Sequence, residues 1–391
     1  MISVAEALDR IFALAAPVGR ETVGLRQAAG RVLAEPAVAR RTQPPFAASA
    51  MDGYAIRGAE LAIGAGFEVV GESAAGGSYP GTLAPGEAVR IFTGAPVPAG
   101  ADHVVIQEDT RREGSRITLA EGLGDGANIR PAGGDFSEGD EMLAPGRRLG
   151  PAEIALLAAM NIPQVAVYRR PDVALICTGD ELVMPGETPG PSQIVTSNAF
   201  GLAAMFEAAG ASARILPIAR DTAESLEQCL DLAAEADLVV TCGGASVGEH
   251  DIVADVARAR GMALEFHKVA MRPGKPLMAG RMGGVPMVGL PGNPVSAMVC
   301  GRIFVVPMLE AMTGRTARPA ARATIRLAAP IPANGPREHY MRATLGPEGI
   351  ALLPSQDSSL LGILAQADAL LVRPPSDPAR DTGASVEYIA L

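Results

Sequence analysis

The chain has 391 residues, 48 % of them apolar and 19 % charged, which suits a folded protein of two to four domains with a sizeable core. Its 33 Lys and Arg against 43 Asp and Glu give a net charge of −10, which excludes a general nucleic-acid binder and leaves an anionic small ligand only through a local basic cluster. The 45 glycines and 32 prolines, with only 4 % aromatics and no Trp, predict many short strands and tight loops.

The first residues, MISVAEALDRIF, carry Glu6 and Asp9 where a secretory signal needs basic residues, so neither secretion nor a membrane is expected. Residues 1–46 read as helical, with Val4, Leu8, Ile11 and Phe12, then Leu25, Ala29, Val32 and Leu33, at helical spacing. From 47 to 136 the runs FEVV, AVRIF, HVVIQ and RITL, punctuated by Gly and Pro, read as an all-β region. A helix AEIALLAAM after Pro151 and a strand VAVY follow. Residues 137–171 pair with 1–46 as a discontinuous linking domain around the β insertion 47–136.

Residues 172–318 alternate strand and helix. Strands are expected at DVALICTG, ARILPIA, ADLVVTCGG, ALEFHKVA and VPMVGLPG. Helices should begin near Asn198, Asp221, Glu249 and Pro294. Asp221 with Glu224 has capping-box spacing, Asn198 can cap AFGLAAMFEAA ahead of Gly210, and Asn293 precedes an N1 proline. This alternation predicts a three-layer α/β domain with a mostly parallel sheet. The uncharged stretch between Arg281 and Arg302 is broken by Pro286, Pro291, Gly292 and Pro294, so it reads as strand, loop and helix start. From 319 to 391 the β texture returns in ARATIRLA, YMRATL, IALLP, ALLVRP and SVEYIAL, a compact barrel-like C-terminal domain.

Three loops follow strands of the α/β region, where such sheets bind ligands. They are Thr178-Gly179-Asp180-Glu181, the run Gly243 to Asp251 (GGASVGEHD), and Pro291-Gly292-Asn293-Pro294-Val295-Ser296. Glycines let backbone amides approach phosphate oxygens, while carboxylates among them suit a bridging Mg²⁺ or acid–base work. The segment His267 to Pro276 (HKVAMRPGKP) adds Lys268, Arg272 and Lys275 with no carboxylate among them, a candidate anion pocket. Cys177, Cys229, Cys242 and Cys300 lack CxxC spacing and read as reduced thiols of a cytoplasmic protein, and His103, His250, His267 and His339 lack metal-ligand spacing.

Taken together, TGDE, GGASVGEHD, KVAMRPGKP and LPGNPVSA, with PFAASAMDGYAIR (45–57) and RIFTGAPVPAGADHVVIQE (90–108), resemble the molybdopterin molybdotransferase family of bacterial MoeA and gephyrin E-domains, in the expected order along the whole chain. The resemblance implies a four-domain homodimer that inserts molybdate into adenylylated molybdopterin and releases AMP with Mg²⁺. It implies catalytic roles for Asp180, Glu181 and Asp251, with Glu181 and Asp251 also holding the metal. Thr178, Gly243, Gly244, Ser246, Gly248, Pro291, Gly292, Asn293 and Ser296 would bind pterin and nucleotide, joined by Asp52 and Thr93 from the partner subunit. Lys268, Arg272, Lys275, Arg342 and Ser358 would bind molybdate. Arg272 stands where the family commonly has lysine, and PSQDSSLLGIL departs most from its pattern. A molybdopterin adenylyltransferase would supply the substrate, and apo-molybdoenzymes or carrier proteins would take the product. The alternatives are an adenylyltransferase or nucleotide pyrophosphatase on the same α/β core, and a non-enzymatic scaffold.

Overall fold

A computed structural model describes residues 1–124, 126–244 and 252–391. Ser246, Gly248, Glu249 and Asp251 therefore lie outside the described residues.

The α/β region carries a six-stranded sheet in the spatial order 212–215, 172–177, 238–242, 285–290, 278–282, 263–266. The first four strands of that row are parallel, because 172–177 pairs in parallel with 212–215 and 238–242, and 238–242 with 285–290. Their burial on both faces explains the near-continuous apolar runs VALIC, LVVTC and VPMVGL. The strand expected over ALEFHKVA spans only Ala263–Phe266. Beyond it, Met271–Arg272 leaves this sheet and pairs with Glu338–His339 of the C-terminal sheet. The sequence reading also missed an antiparallel hairpin, Met278–Met282 with Val285–Leu290, turned at Gly283-Gly284.

Helix starts differ from the sequence expectation in two places. Thr222, not Asp221, caps Ala223–Leu232, its hydroxyl accepting the Ser225 N–H at 3.3 Å. Asn198 is the first residue of Asn198–Ala208 rather than its cap, while Gly210 follows with φ +99° as expected. Pro294–Met312 runs as one apolar helix, long enough by length and composition to cross a membrane but mostly buried in this fold. A π turn at Gly301–Val305 widens it where the ring of Pro307 would otherwise meet the preceding turn.

The opening segment is not helical throughout. Helix Val4–Leu14 is followed by strand Arg20–Gly24, which pairs antiparallel with Gln164–Tyr168, because RETVG alternates too briefly to betray a strand alone. The apolar face of Val4–Leu14 (Val4, Leu8, Ile11, Leu14) packs into the core of the α/β sheet, in the cluster of Leu175, Val240 and Val288. Ala28, Leu33, Ala37 and Ala39 instead pack with Phe136, Leu149, Leu157 and Val167, a core shared by two separated segments. Between them lies a six-stranded sheet over 53–119 with its own cluster of Tyr54, Ile56, Phe67 and Ile117. The C-terminal strands run 338–346, 369–373, 385–390 and 323–326 side by side. Strand 349–352 pairs with 338–346, and a bridge from Ile350 to Leu327 closes the sheet toward a barrel around Leu327, Ala343, Ile350 and Leu371.

Candidate active site

Strand 172–177 is followed on one side by 212–215 and then, on the other, by 238–242, so the crevice where an open α/β sheet binds ligands falls between 172–177 and 238–242. Cys177, Cys242 and Leu290 end abreast in register. Lateral bonds carry the order past them. The Thr178 N–H donates to the Cys242 carbonyl at 3.0 Å, the Gly243 N–H to Leu290 at 3.2 Å, and the Gly179 N–H to Ala219 at 3.1 Å. A cleft of about 1230 Å³ opens here, lined by Thr178, Glu181, Asn198, Gly244, Asp221 and Asn293 among others. That exceeds a drug-sized pocket and suits a ligand with two ring systems and a linker.

Two glycines let the backbone turn under the cleft. Gly243 has φ +98°, and a Cβ there would stand 2.6 Å from the Thr178 carbonyl oxygen. Gly244 has φ +65°, and a Cβ would stand 2.5 Å from Val253. Gly243→Ala should therefore destabilise the chain by about 2–3 kcal/mol through strain and clash together. An unchanged urea midpoint in that variant contradicts this account of the turn.

Glu181 lies over Gly179, where any side chain would run into its carboxylate, and the Glu181 carboxylate has no hydrogen-bond or ion-pair partner among the described residues. Asp180 is not in the cleft wall, since its Oδ1 accepts the Asp221 N–H at 3.2 Å and braces the neighbouring loop. Thr178 Oγ1 and Asn198 Oδ1 are buried at the cleft with no partner among the described residues. Buried polar atoms are rarely left so, and these two mark where a bound ligand would donate or accept. Pro291 and Gly292 line the cleft, and the Asn198 amide donates to the Gly292 carbonyl at 2.8 Å. Ser296 is buried in the first turn of its helix, outside the cleft wall.

Asn293 is the cap residue of that helix, yet its side chain makes no cap bond. It donates instead to Ser358 Oγ at 3.2 Å, while the Val295 N–H donates to the Ser358 carbonyl at 3.0 Å. The C-terminal domain is thus pinned to the cleft rim. Arg342 holds the other end of this link. The residue is only 2 % exposed, and its guanidinium donates to the Asp357 carbonyl at 2.8 Å and the Ser355 carbonyl at 3.2 Å, with Nε left without a partner among the described residues.

The basic segment connects the same two bodies. The Val269 N–H donates to the Lys275 carbonyl at 3.1 Å, closing a loop that presents Arg272 in register with His339. Lys268, Arg272 and Lys275 form no ion pair with a described residue. Buried His339 carries the imprint of the surrounding cations. Burial, then Arg272, Arg342, Arg337 and Arg373, pushes its imidazole down to about 4. None of Lys268, Arg272, Lys275, Arg342 or Ser358 lines the main cleft, which instead meets their loop at Ser359 and Pro276.

Asp52 and Thr93 pair with each other, not with the cleft of their own chain. Thr93 donates to Asp52 Oδ1 from both its N–H and its hydroxyl at 2.7 Å, and those bonds lower the carboxyl below its usual range. Beside them the Arg90 guanidinium stacks between Tyr54 and Phe92, at 5.0 and 4.8 Å from the ring centroids. Sequence reasoning missed Thr196, Ser197, Asn198 and Asp221 in the cleft wall. Asn198 and Asp221 were visible only as helix-start residues, a reading that assigned each of them a purely local task.

Three family profiles cover nearly the whole chain. They are "MoeA N-terminal region (domain I and II)" over residues 2–161, "Probable molybdopterin binding domain" over 174–311, and "MoeA C-terminal region (domain IV)" over 324–391. The chain belongs to the MoeA family. It is similar to a molybdopterin molybdenumtransferase of Nostoc, 38 % identical over 75 % of this chain and 70 % of that protein. A molybdopterin molybdenumtransferase of Staphylococcus epidermidis is 31 % identical over 99 % of this chain and 95 % of its own. The crystal structure of a molybdopterin biosynthesis MoeA protein from Pyrococcus horikoshii superposes with a TM-score of 0.87 at 27 % identity, covering all of both chains. In this MoeA-family chain the cleft residues other than Ser359 fall in the region matched by the probable molybdopterin binding domain, Asp52 and Thr93 in the N-terminal region, and Arg342, Ser358 and Ser359 in the C-terminal region.

Proposed function

We propose that this transferase of molybdenum-cofactor biosynthesis inserts molybdate into adenylylated molybdopterin in the cleft and releases AMP. The observation that carries the proposal is the join between two unlike surfaces. A large cleft whose Thr178 Oγ1 and Asn198 Oδ1 have no partner among the described residues is bonded through Asn293 and Ser358 to a loop gripped by Arg342 beside Arg272. The first suits a pterin nucleotide, and the second suits a tetrahedral dianion, which needs several charged donors at once. An adenylyltransferase needs only the first surface, so that alternative is disfavoured.

In this reading Gly243, Gly244 and Gly292 let the backbone approach the phosphates, while Thr178, Asn198 and Asn293 orient the ligand. Arg272, Lys268, Lys275 and Arg342 hold molybdate beside it and offset negative charge as the phosphoanhydride bond to AMP breaks. The donor set at Thr178 and Glu181 is all oxygen, with a carboxylate that has no partner among the described residues, and so fits Mg²⁺. Glu181 would hold that ion together with Asp251, and Mg²⁺ would supply charge shielding at the phosphates.

We further propose a cytoplasmic homodimer in which Asp52 and Thr93 complete the partner's cleft, since they bond each other at the surface away from their own. A molybdopterin adenylyltransferase would supply its substrate, and apo-molybdoenzymes or carrier proteins would receive the cofactor. Mixing an Asp52→Ala chain with a Glu181→Gln chain tests both ideas, with molybdenum cofactor formed from adenylylated molybdopterin and molybdate as the readout. Each variant alone should be inactive, and exchanged heterodimers should recover about a quarter to a half of wild-type activity, as expected for one intact site among two. If subunits exchange and no activity returns, the site is not shared.

A further inference from the structure

Two thiols stand side by side on the floor of the cleft. Cys177 and Cys242 end neighbouring parallel strands and are register partners, so their side chains leave the same face of the sheet, and both belong to the same core cluster. They are 5 % and 3 % exposed, and both line the cleft. Cys242 Sγ accepts from the Asn198 amide at 3.2 Å and lies 3.4 Å from the Pro291 carbonyl, so its position is fixed from two sides.

The spacing selects what such a pair can hold. Register partners on adjacent strands lie about 4.8 Å apart. A disulfide needs Cβ atoms at about 3.5–4.5 Å, closer than these strands approach. Two metal–sulfur bonds of about 2.3 Å laid end to end span roughly 4.6 Å, which fits without moving either strand. No group of three His, Cys, Asp or Glu side chains that could hold a metal occurs among the described residues, so a tetrahedral Zn²⁺ site is not offered. Thiolates without harder ligands select soft monovalent cations, which accept two-coordinate linear geometry.

We propose that Cys177 and Cys242 form a two-sulfur site for a soft monovalent cation of the Cu(I) class on the cleft floor. The Asn198 amide and the Pro291 carbonyl hold Cys242 Sγ at the cleft beside Cys177, and a bound cation would displace the thiol protons to solvent. Cys300 and Cys229 are unsuited to it. Burial raises both thiols, and neither lines the cleft. The site stands independently of what the cleft binds above it.

The test is anaerobic titration of the purified chain with Cu(I) against a chromophoric Cu(I) chelator. The wild type should retain one equivalent, and Cys177→Ser or Cys242→Ser should weaken retention about a hundredfold with thermal unfolding unchanged, whereas Cys229→Ser should not. In the wild type alone, one equivalent of Cu(I) should slow iodoacetamide alkylation of the Cys177 peptide about tenfold or more, a readout that needs no variant to fold. Loss of all Cu(I) to the chelator, retention that survives both serine variants, or protection at Cys229 or Cys300 instead would each overturn the site.

Discussion

Arg342→Ala should lose both stability and the grip on molybdate. The side chain is almost fully buried and its guanidinium supplies the donors for the Ser355 and Asp357 carbonyls. Its removal leaves two backbone acceptors of the 355–359 loop unsatisfied, a loss of about 2–3 kcal/mol for charged hydrogen bonds. Gln356 resists complete release, because its amide bonds the Arg342 backbone at both N–H (2.9 Å) and carbonyl (3.0 Å), contacts the substitution spares. The variant should therefore fold with a lowered unfolding temperature while Ser358 drifts from Asn293. Molybdate affinity should fall roughly ten- to hundredfold, and more than that of the pterin nucleotide. Arg342→Lys keeps the charge but cannot reach both carbonyls, so it should recover part of the oxyanion affinity and little of the stability. Equal affinity for molybdate in a destabilised Arg342→Ala would confine this residue to holding the loop.

Acid sensitivity between pH 4 and 6.5 should trace to His339. Its folded-state value is depressed from 6.5 to about 4, so the unfolded chain binds the proton more readily in that window. The stability tied to keeping it neutral is fully present above about 6.5 and is lost as pH falls toward about 4, worth about 3 kcal/mol in all. Most of the change, about 2 kcal/mol, should appear between pH 7 and pH 5. The depressed carboxylates Asp357 and Asp377 are lost only at lower pH, below the ordinary carboxylate range. His103, lowered by partial burial, contributes in the same direction. Urea midpoints of wild type and His339→Gln at the two pH values decide the matter. The variant should lose most of that slope, with His103 the remaining described imidazole held below its usual value, and an unchanged slope would remove His339 from the account.

The sequence disclosed the loops of the candidate site wherever chemistry and chain geometry coincided. Strand ends rich in glycine, read as ligand loops, do end abreast in the sheet, with Thr178, Gly243 and Pro291 at one edge. The Asn293-Pro294 step did start a helix, but only the fold shows that Asn293 spends its side chain on Ser358, 65 residues away. Interactions across such separations leave no local pattern. Arg342 shows the same limit, for YMRATL reads as an ordinary strand and nothing local says that its arginine is buried. The 278–290 hairpin went unread because its first strand, MAGRM, is short and its buried part shows no alternation. Helix Val4–Leu14 was legible as amphipathic, but an apolar stripe does not name the surface it will cover, here the α/β sheet.

Coupling between the two anion surfaces is the centre of this account, and AMP release measures it. The purified protein is incubated with adenylylated molybdopterin and Mg²⁺, and AMP is followed with molybdate absent and then titrated. If the Arg272–Arg342 surface and the Thr178–Asn198 cleft form one site, AMP release should be slow without molybdate and rise saturably with it. The molybdenum-containing pterin should appear in equal amount. AMP release that proceeds at full rate without molybdate would contradict the account and leave a nucleotide hydrolase whose cationic loop serves something else.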